Sequence, residues 1–349
     1  MEERKETTSS GRIIPRSGIN DRIPYEHQKK AMECMDRINT GSDFSTLVVL
    51  PTGGRKTYTA ALWLLHNAID QHKKILWIAH RQMLLDQAAE AGYKALELGP
   101  VGYLPTDIGQ LRDELASRGL SICGGTACYD FLKAASFADV RADVDELCKR
   151  LLAFDVHYLM TMDGTAMSRE TKAGLKEQQE RTYRIFGEMG RYCRDTYGIE
   201  ILMHPERCSL IETREELERL IDLDLCICFD NGHYAAANGG WQKGDRSALD
   251  FLEAHIDHIP YLHFKNVSGE VRKQELDGAL AWDDPKMDDI MCDLEDGIID
   301  YEAYRDLLDR LNFQGVGIIE QDCPHATTQE AFEKAKKNLV YLQKIHLIP

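Results

Sequence analysis

Four short polar clusters, each following an apolar run, hold the residues of this chain best suited to chemistry. They are His204-Pro205-Glu206 after 199–203, Asp230-Asn231-Gly232-His233 after 225–229, His263-Phe264-Lys265 after 260–262, and Glu320-Gln321-Asp322 after 316–319. Imidazoles and carboxylates brought to one place are a ligand set for a divalent metal. They meet only if the apolar runs are strands lying in parallel, so that their C-terminal ends share a face. Helical stretches near 214–223, 247–259, 301–311 and 329–345 follow the runs, as parallel strands require. An enzyme is the leading reading.

The same rhythm extends upstream. Residues 75–79, 95–98, 120–123 and 157–162 read as strands, and 82–91, 107–118, 140–153 and 176–197 as helices. Eight strands alternating with eight helices give an α/β fold, a (β/α)8 TIM barrel, whose active sites lie at the C-terminal ends of the strands. The strands are short and rich in Ile, Leu, Val and Cys. That suits parallel strands buried on both faces.

The totals agree with a globular protein. The chain has 349 residues and a formal charge of −16. That charge argues against a broad nucleic-acid surface, which needs clustered Lys and Arg. No apolar run is long enough to span a bilayer, and residues 1–20 lack the apolar core of a secretory signal. A cytoplasmic location is expected, with no membrane partner and with residues 1–22 as a disordered tail. The ten cysteines lack zinc-type spacing and read as free thiols.

Residues 23–74 carry a different pattern. A helix over 25–40 precedes a β-rich run at 46–50, which enters Pro51-Thr52-Gly53-Gly54-Arg55-Lys56-Thr57 and then a helix. Strand, Gly-rich turn, Lys-Thr and helix make a phosphate loop. From Pro24-Tyr25-Glu26-His27-Gln28 through this loop to Ile78-Ala79-His80-Arg81, the chain resembles the start of a superfamily-two helicase. It departs at Arg55, where that family has Gly, and in lacking an Asp-Glu box after a strand; Asp145-Glu146 falls inside a predicted helix. Lys56 and Thr57 remain candidate anion ligands, but ATP is not an expected cofactor and this P-loop-like βα appendage reads as structural. The competing function is a P-loop nucleotide or nucleic-acid binding protein with an inactive barrel.

From about residue 89 onward the chain resembles the xylose-isomerase-like barrel superfamily, and within it inosose dehydratases and sugar-phosphate isomerase/epimerase proteins. The resemblance is carried by Glu97-Leu98-Gly99-Pro100-Val101-Gly102-Tyr103-Leu104-Pro105-Thr106, the four clusters above, Glu212-Thr213 and Asp296-Gly297-Ile298-Ile299-Asp300. It implies a divalent ion, manganese or cobalt first, zinc or magnesium next. Carried over, Asp230, His263 and Glu320 match metal positions. His204 stands where many relatives have Glu, and Glu206 is the alternative oxygen ligand. The implied activity is a metal-dependent lyase or isomerase working on a small polyol ketone or sugar through an enediolate, most specifically dehydration of an inosose. Glu320 or Glu206 would be the base, Lys265 would hold a hydroxyl or oxyanion, and His233 would face the substrate or back the metal ligands. A homo-oligomer is left open.

Blander readings compete for each residue. His263 could be a hydrogen-bonded structural residue, Asp230 a helix cap, and Glu320 a partner of Lys265. Asp163 and Arg169 could contact substrate but read better as a surface ion pair, and Trp241 with Asn238-Gly239-Gly240 reads as a loop that covers the site. The expected domains are thus 1–22, 23–74 and 75–349, with 75–79 supplying the barrel's first strand.

Overall fold

A computed structural model describes residues 24–38, 59, 62–63, 67, 81–99 and 101–348. The chain divides into two units, Met1–Ala79 and His80–Pro349. In the first, helix α1 (Glu26–Ile38) realises the helix expected over 25–40. The Gln28 side chain accepts from the Tyr25 amide at 2.8 Å, occupying a donor that the helix start leaves free. The β-rich run at 46–50, the phosphate loop with Lys56 and Thr57, and the expected first strand at 75–79 lie outside the described residues.

The second unit opens with helix α2 (Arg81–Ala91) and then lays down β1 (Ala95–Leu98), β2 (Ser121–Tyr129), β3 (Tyr158–Asp163), β4 (Glu200–His204), β5 (Cys226–Asp230), β6 (Tyr261–Phe264) and β7 (Val316–Ile319). These seven form one sheet in chain order, and every neighbouring pair is parallel. Among the described residues no strand lies between β7 and β1. A cleft of about 760 Å³ runs there, lined by apolar groups such as Leu96, Ile318 and Leu339, with Glu97 and Glu320 also in its wall.

Helices cover the outside of the sheet for local reasons. In α3 (Ile108–Ala116) the Asp107 carboxylate accepts from the Gln110 amide at 2.7 Å, capping the helix start. The long α5 (Lys176–Tyr197) follows α4 (Arg141–Leu152) and buries Thr182, Phe186, Met189 and Cys193, a 4-3-4 spacing that keeps one face inward. It stops at Gly198, whose φ of +64° is the left-handed conformation glycine adopts without strain. Thr213 and Glu216 form a reciprocal capping box at the start of α6 (Arg214–Ile221).

Alternation along the strands separates two faces. Met160, Leu202, Cys228 and Tyr261 form a small buried cluster inside the barrel. Two residues further along β4, β5 and β6 stand His204, Asp230 and His263, so the interior cluster is the floor beneath them.

Two elements differ from the sequence-based expectation. Strand β2 runs to Tyr129 instead of ending at Cys123. The Gly124-Gly125 pair lies inside the strand and serves close packing. A Cβ at Gly124 would meet the Tyr261 Oη at 2.6 Å, and one at Gly125 would meet Leu151 Cδ2 at 2.8 Å. Helix α7 (Asn231–Asn238) starts directly after β5, ahead of α8 (Ser247–His255), because the Asp230 side chain caps it. Past β6, an excursion containing the strand pair Asn266–Val267 and Met291–Cys292 is tied down by Asn266, whose amide donates to Leu294 O and Ile299 O. All ten cysteines are free thiols, and among the described residues no helix is long and apolar enough to cross a membrane.

Candidate metal centre

His204, Asp230, His263 and Glu320 each offer a donor atom, and these atoms lie within 4.8 Å of one another. Strand register explains the convergence. Asp230 pairs with His263 across β5 and β6, and His204 ends the adjoining β4. The Glu320 amide continues the ladder beyond β7 by donating to Phe264 O at 3.1 Å. The converging atoms are His204 Nε2, His263 Nδ1, Asp230 Oδ2 and Glu320 Oε2. His204 Nε2 lies 3.1 Å from His263 Nδ1 and 3.6 Å from Asp230 Oδ2, and His263 Nδ1 lies 2.5 Å from Glu320 Oε2.

Asp230 performs two tasks with two oxygens. Its Oδ1 accepts from the His233 amide at 2.7 Å and caps α7. Its Oδ2 is fully buried and makes no hydrogen bond. A buried carboxylate oxygen left without a hydrogen bond is costly, and a cation at this point would remove that cost. His204 Nδ1 is likewise buried without a hydrogen bond. Two imidazole nitrogens and two carboxylate oxygens suit manganese, cobalt, iron or zinc better than calcium. By donor chemistry and by the orphaned oxygen, the residues present fit a divalent metal.

The electrostatics match a site that collects positive charge. Burial pulls the His204 imidazole down, but Asp230 and Glu320 outweigh it and hold the group up at about 9. Burial would raise the Glu320 carboxyl, yet Lys265 and the two imidazoles keep it well below the usual carboxylate range. Asp230 is depressed in the same way, against burial, by Lys265, His233 and His204.

Beside the four lies a second group. The Lys265 ammonium is fully buried, with its Nζ 2.8 Å from His233 Nε2, 3.0 Å from Asp322 Oδ2, 3.2 Å from Glu320 Oε1 and 3.4 Å from Asp230 Oδ2. Burial works against its charge, and the surrounding carboxylates hold its pKa well above the ordinary lysine value. His233 is pushed down to about 3 by burial and then by the Lys265 cation, so its ring is neutral near pH 7. Burial pushes Glu206 up to about 7. It stands outside the four-residue group, with Oε1 3.4 Å from His233 Nδ1 and Oε2 3.9 Å from His204 Nδ1.

Of the residues singled out in the sequence, His204, Asp230, His263 and Glu320 come together as possible ligands, and Glu206, His233 and Lys265 line the adjoining wall. Asp163 and Arg169 are not a surface pair. Asp163 is buried, accepting from the Thr165 hydroxyl and the Leu210 amide, and Arg169 donates to Ala237 O. Trp241 is 40% exposed, with Lys273 over its ring. Four contributors had no assigned role in the sequence. Glu97 contacts His263, and Asp322 contacts Lys265. Asn231 accepts from the Lys265 amide at 2.9 Å, and the Tyr301 hydroxyl donates to Lys265 O at 2.9 Å. Glu97 and Asp322 lie inside the motifs that carried the resemblance; Tyr301 gave no signal.

The fold and the cluster together define a class, a parallel α/β barrel with a mixed imidazole–carboxylate centre at its C-terminal mouth. The profile of the xylose isomerase-like TIM barrel family matches residues 85–345, and the chain belongs to that family. An inosose dehydratase of Glaesserella parasuis serovar 5 (strain SH0165) is 23% identical over 278 residues, covering 76% of this chain and 89% of that protein. Among solved structures, the IOLI protein with a bound zinc atom superposes with a TM-score of 0.55 at 15% identity, over 75% of this chain and 95% of that one. The D-psicose 3-epimerase of Clostridium cellulolyticum H10 with D-tagatose gives a TM-score of 0.52 at 14% identity, over 77% and 94%.

Proposed function

We propose that this protein is a metal-dependent enzyme acting on a small polyol-derived ketone or sugar, and most specifically a dehydratase of the inosose type. Ketose isomerisation or epimerisation is the related outcome of the same chemistry. The observation that carries the reading is the buried Asp230 Oδ2, left without a hydrogen bond amid three other donor atoms. The inosose dehydratase similarity supports the substrate class.

His204, Asp230, His263 and Glu320 would hold the ion, which when bound supplies Lewis-acid polarisation of a substrate carbonyl. The remaining work belongs to the wall beside it. A base must remove the proton alpha to the carbonyl, and its best pKa lies near the working pH. Glu206 at about 7 meets that requirement, whereas Glu320 is held far below it. Glu206 takes the proton as the C–H bond breaks and an enediolate develops. Lys265 lies beside that negative charge as a fixed donor, and neutral His233 accepts from it. Loss of the β-hydroxyl then breaks the C–O bond, and the proton held by Glu206 leaves with it as water. Return of the proton to a neighbouring carbon instead gives isomerisation.

The test is metal analysis followed by turnover of an inosose with manganese or cobalt, before and after chelation. Expected are a bound divalent ion, activity that chelation abolishes, and no ion binding in Asp230→Ala. Absence of both bound metal and metal-dependent turnover would sink the reading.

A further inference from the structure

His263 has two ring nitrogens, and only Nδ1 faces the four-residue centre. Its other nitrogen, Nε2, lies 2.8 Å from Glu97 Oε1. Glu97 stands beside an irregularity in the pairing of β1 with β2. Leu96 pairs with Ile122 and Glu97 with Gly124, so Cys123 is left out of the register. A bulge of this kind re-aims the side chain beside it. The Glu97 side chain is largely buried, at 18% exposure, and among the described residues no lysine or arginine pairs with it. Its charge is directed at the imidazole.

We infer that Glu97 is a positioning residue of the metal centre, holding the His263 proton on Nε2 so that the Nδ1 lone pair faces the ion. A neutral imidazole carries one ring proton, and the hydrogen bond at one nitrogen decides which nitrogen can ligate. A carboxylate behind a ligating histidine also fixes ring orientation and raises ligand basicity. This inference rests on reading the four residues as a metal centre.

The experiment is calorimetric titration of the metal-free protein with Mn²⁺, comparing wild type, Glu97→Ala and Glu97→Gln. Loss of the acceptor should weaken Mn²⁺ binding about 10- to 100-fold in Glu97→Ala. Glu97→Gln, whose side-chain oxygen still accepts from Nε2–H, should keep most of the affinity. Thermal unfolding of the metal-free proteins shows whether each variant is folded. In Zn²⁺-loaded wild type, imidazole ¹⁵N spectra should find the His263 proton on Nε2, a readout that needs no variant. Wild-type affinity in Glu97→Ala, equal loss in both variants, or a proton on Nδ1 overturns the role of Glu97. Failure of wild type to bind Mn²⁺ or Zn²⁺ overturns the metal-centre reading instead.

Discussion

At the residue scale, the centre is built from side chains that each satisfy two demands. Asp230 caps a helix with one oxygen and turns the other, which makes no hydrogen bond, toward Lys265 and the converging donors. Lys265 is a buried cation whose cost is met by Asp230, Glu320 and Asp322. It sits tightly because residue 232 is glycine; a Cβ there would meet Lys265 Cβ at 2.7 Å. Lys265→Met should separate binding from chemistry. Removing an oriented donor beside a developing oxyanion lowers kcat by about 10² to 10³. Loss of a positive charge so near the centre should leave Mn²⁺ affinity unchanged or raise it. Steady-state kinetics and calorimetry on the same sample check this, and parallel loss of metal binding would show that Lys265 is structural.

At the element scale, the loop that leaves β4 at His204 carries Glu206 and must be anchored at its far end. The capping box does this. Glu216 accepts from the amides of Glu212 and Thr213 and pairs with Lys172. Burial would raise its carboxyl, but those two amides and Lys172 outweigh it, and its pKa falls below the ordinary 4.5. A depressed folded-state value stabilises the protein above the unfolded pKa, and that stability is lost as pH falls through the folded value. Glu216→Gln keeps the acceptor but loses its charge, and should therefore cost about 1 kcal/mol near neutral pH. The gap from wild type should close as pH drops below 4.5. Urea unfolding of both proteins across that range measures it, and a gap independent of pH would show that the charge plays no part.

For the whole molecule, β4, β5, β6 and the segment after β7 each send one donor to the same point. An ion there ties four chain segments together and stabilises the folded state by mass action. At one hundred times its dissociation constant the gain is about 2.7 kcal/mol. Chelation should lower Tm by several degrees, and Mn²⁺ should restore it in wild type but not in Asp230→Ala. Differential scanning calorimetry at fixed protein concentration gives the answer.

The amino-acid sequence by itself determined the alternation of strands and helices and the placing of His204, Asp230, His263 and Glu320 at strand ends. The reason is local: short apolar runs and the polar clusters that follow them are properties of a few consecutive residues. Strand β2 escaped that reading because its glycine pair answers to Tyr261 and Leu151, which are far away in the chain. The tertiary structure alone decided that Glu206 stands off the cluster and that Asp230 divides its oxygens. It also brought Glu97 to His263 across 166 residues. Those outcomes depend on how a curved sheet carries side chains from separate strands to one point, and no window of sequence contains that distance.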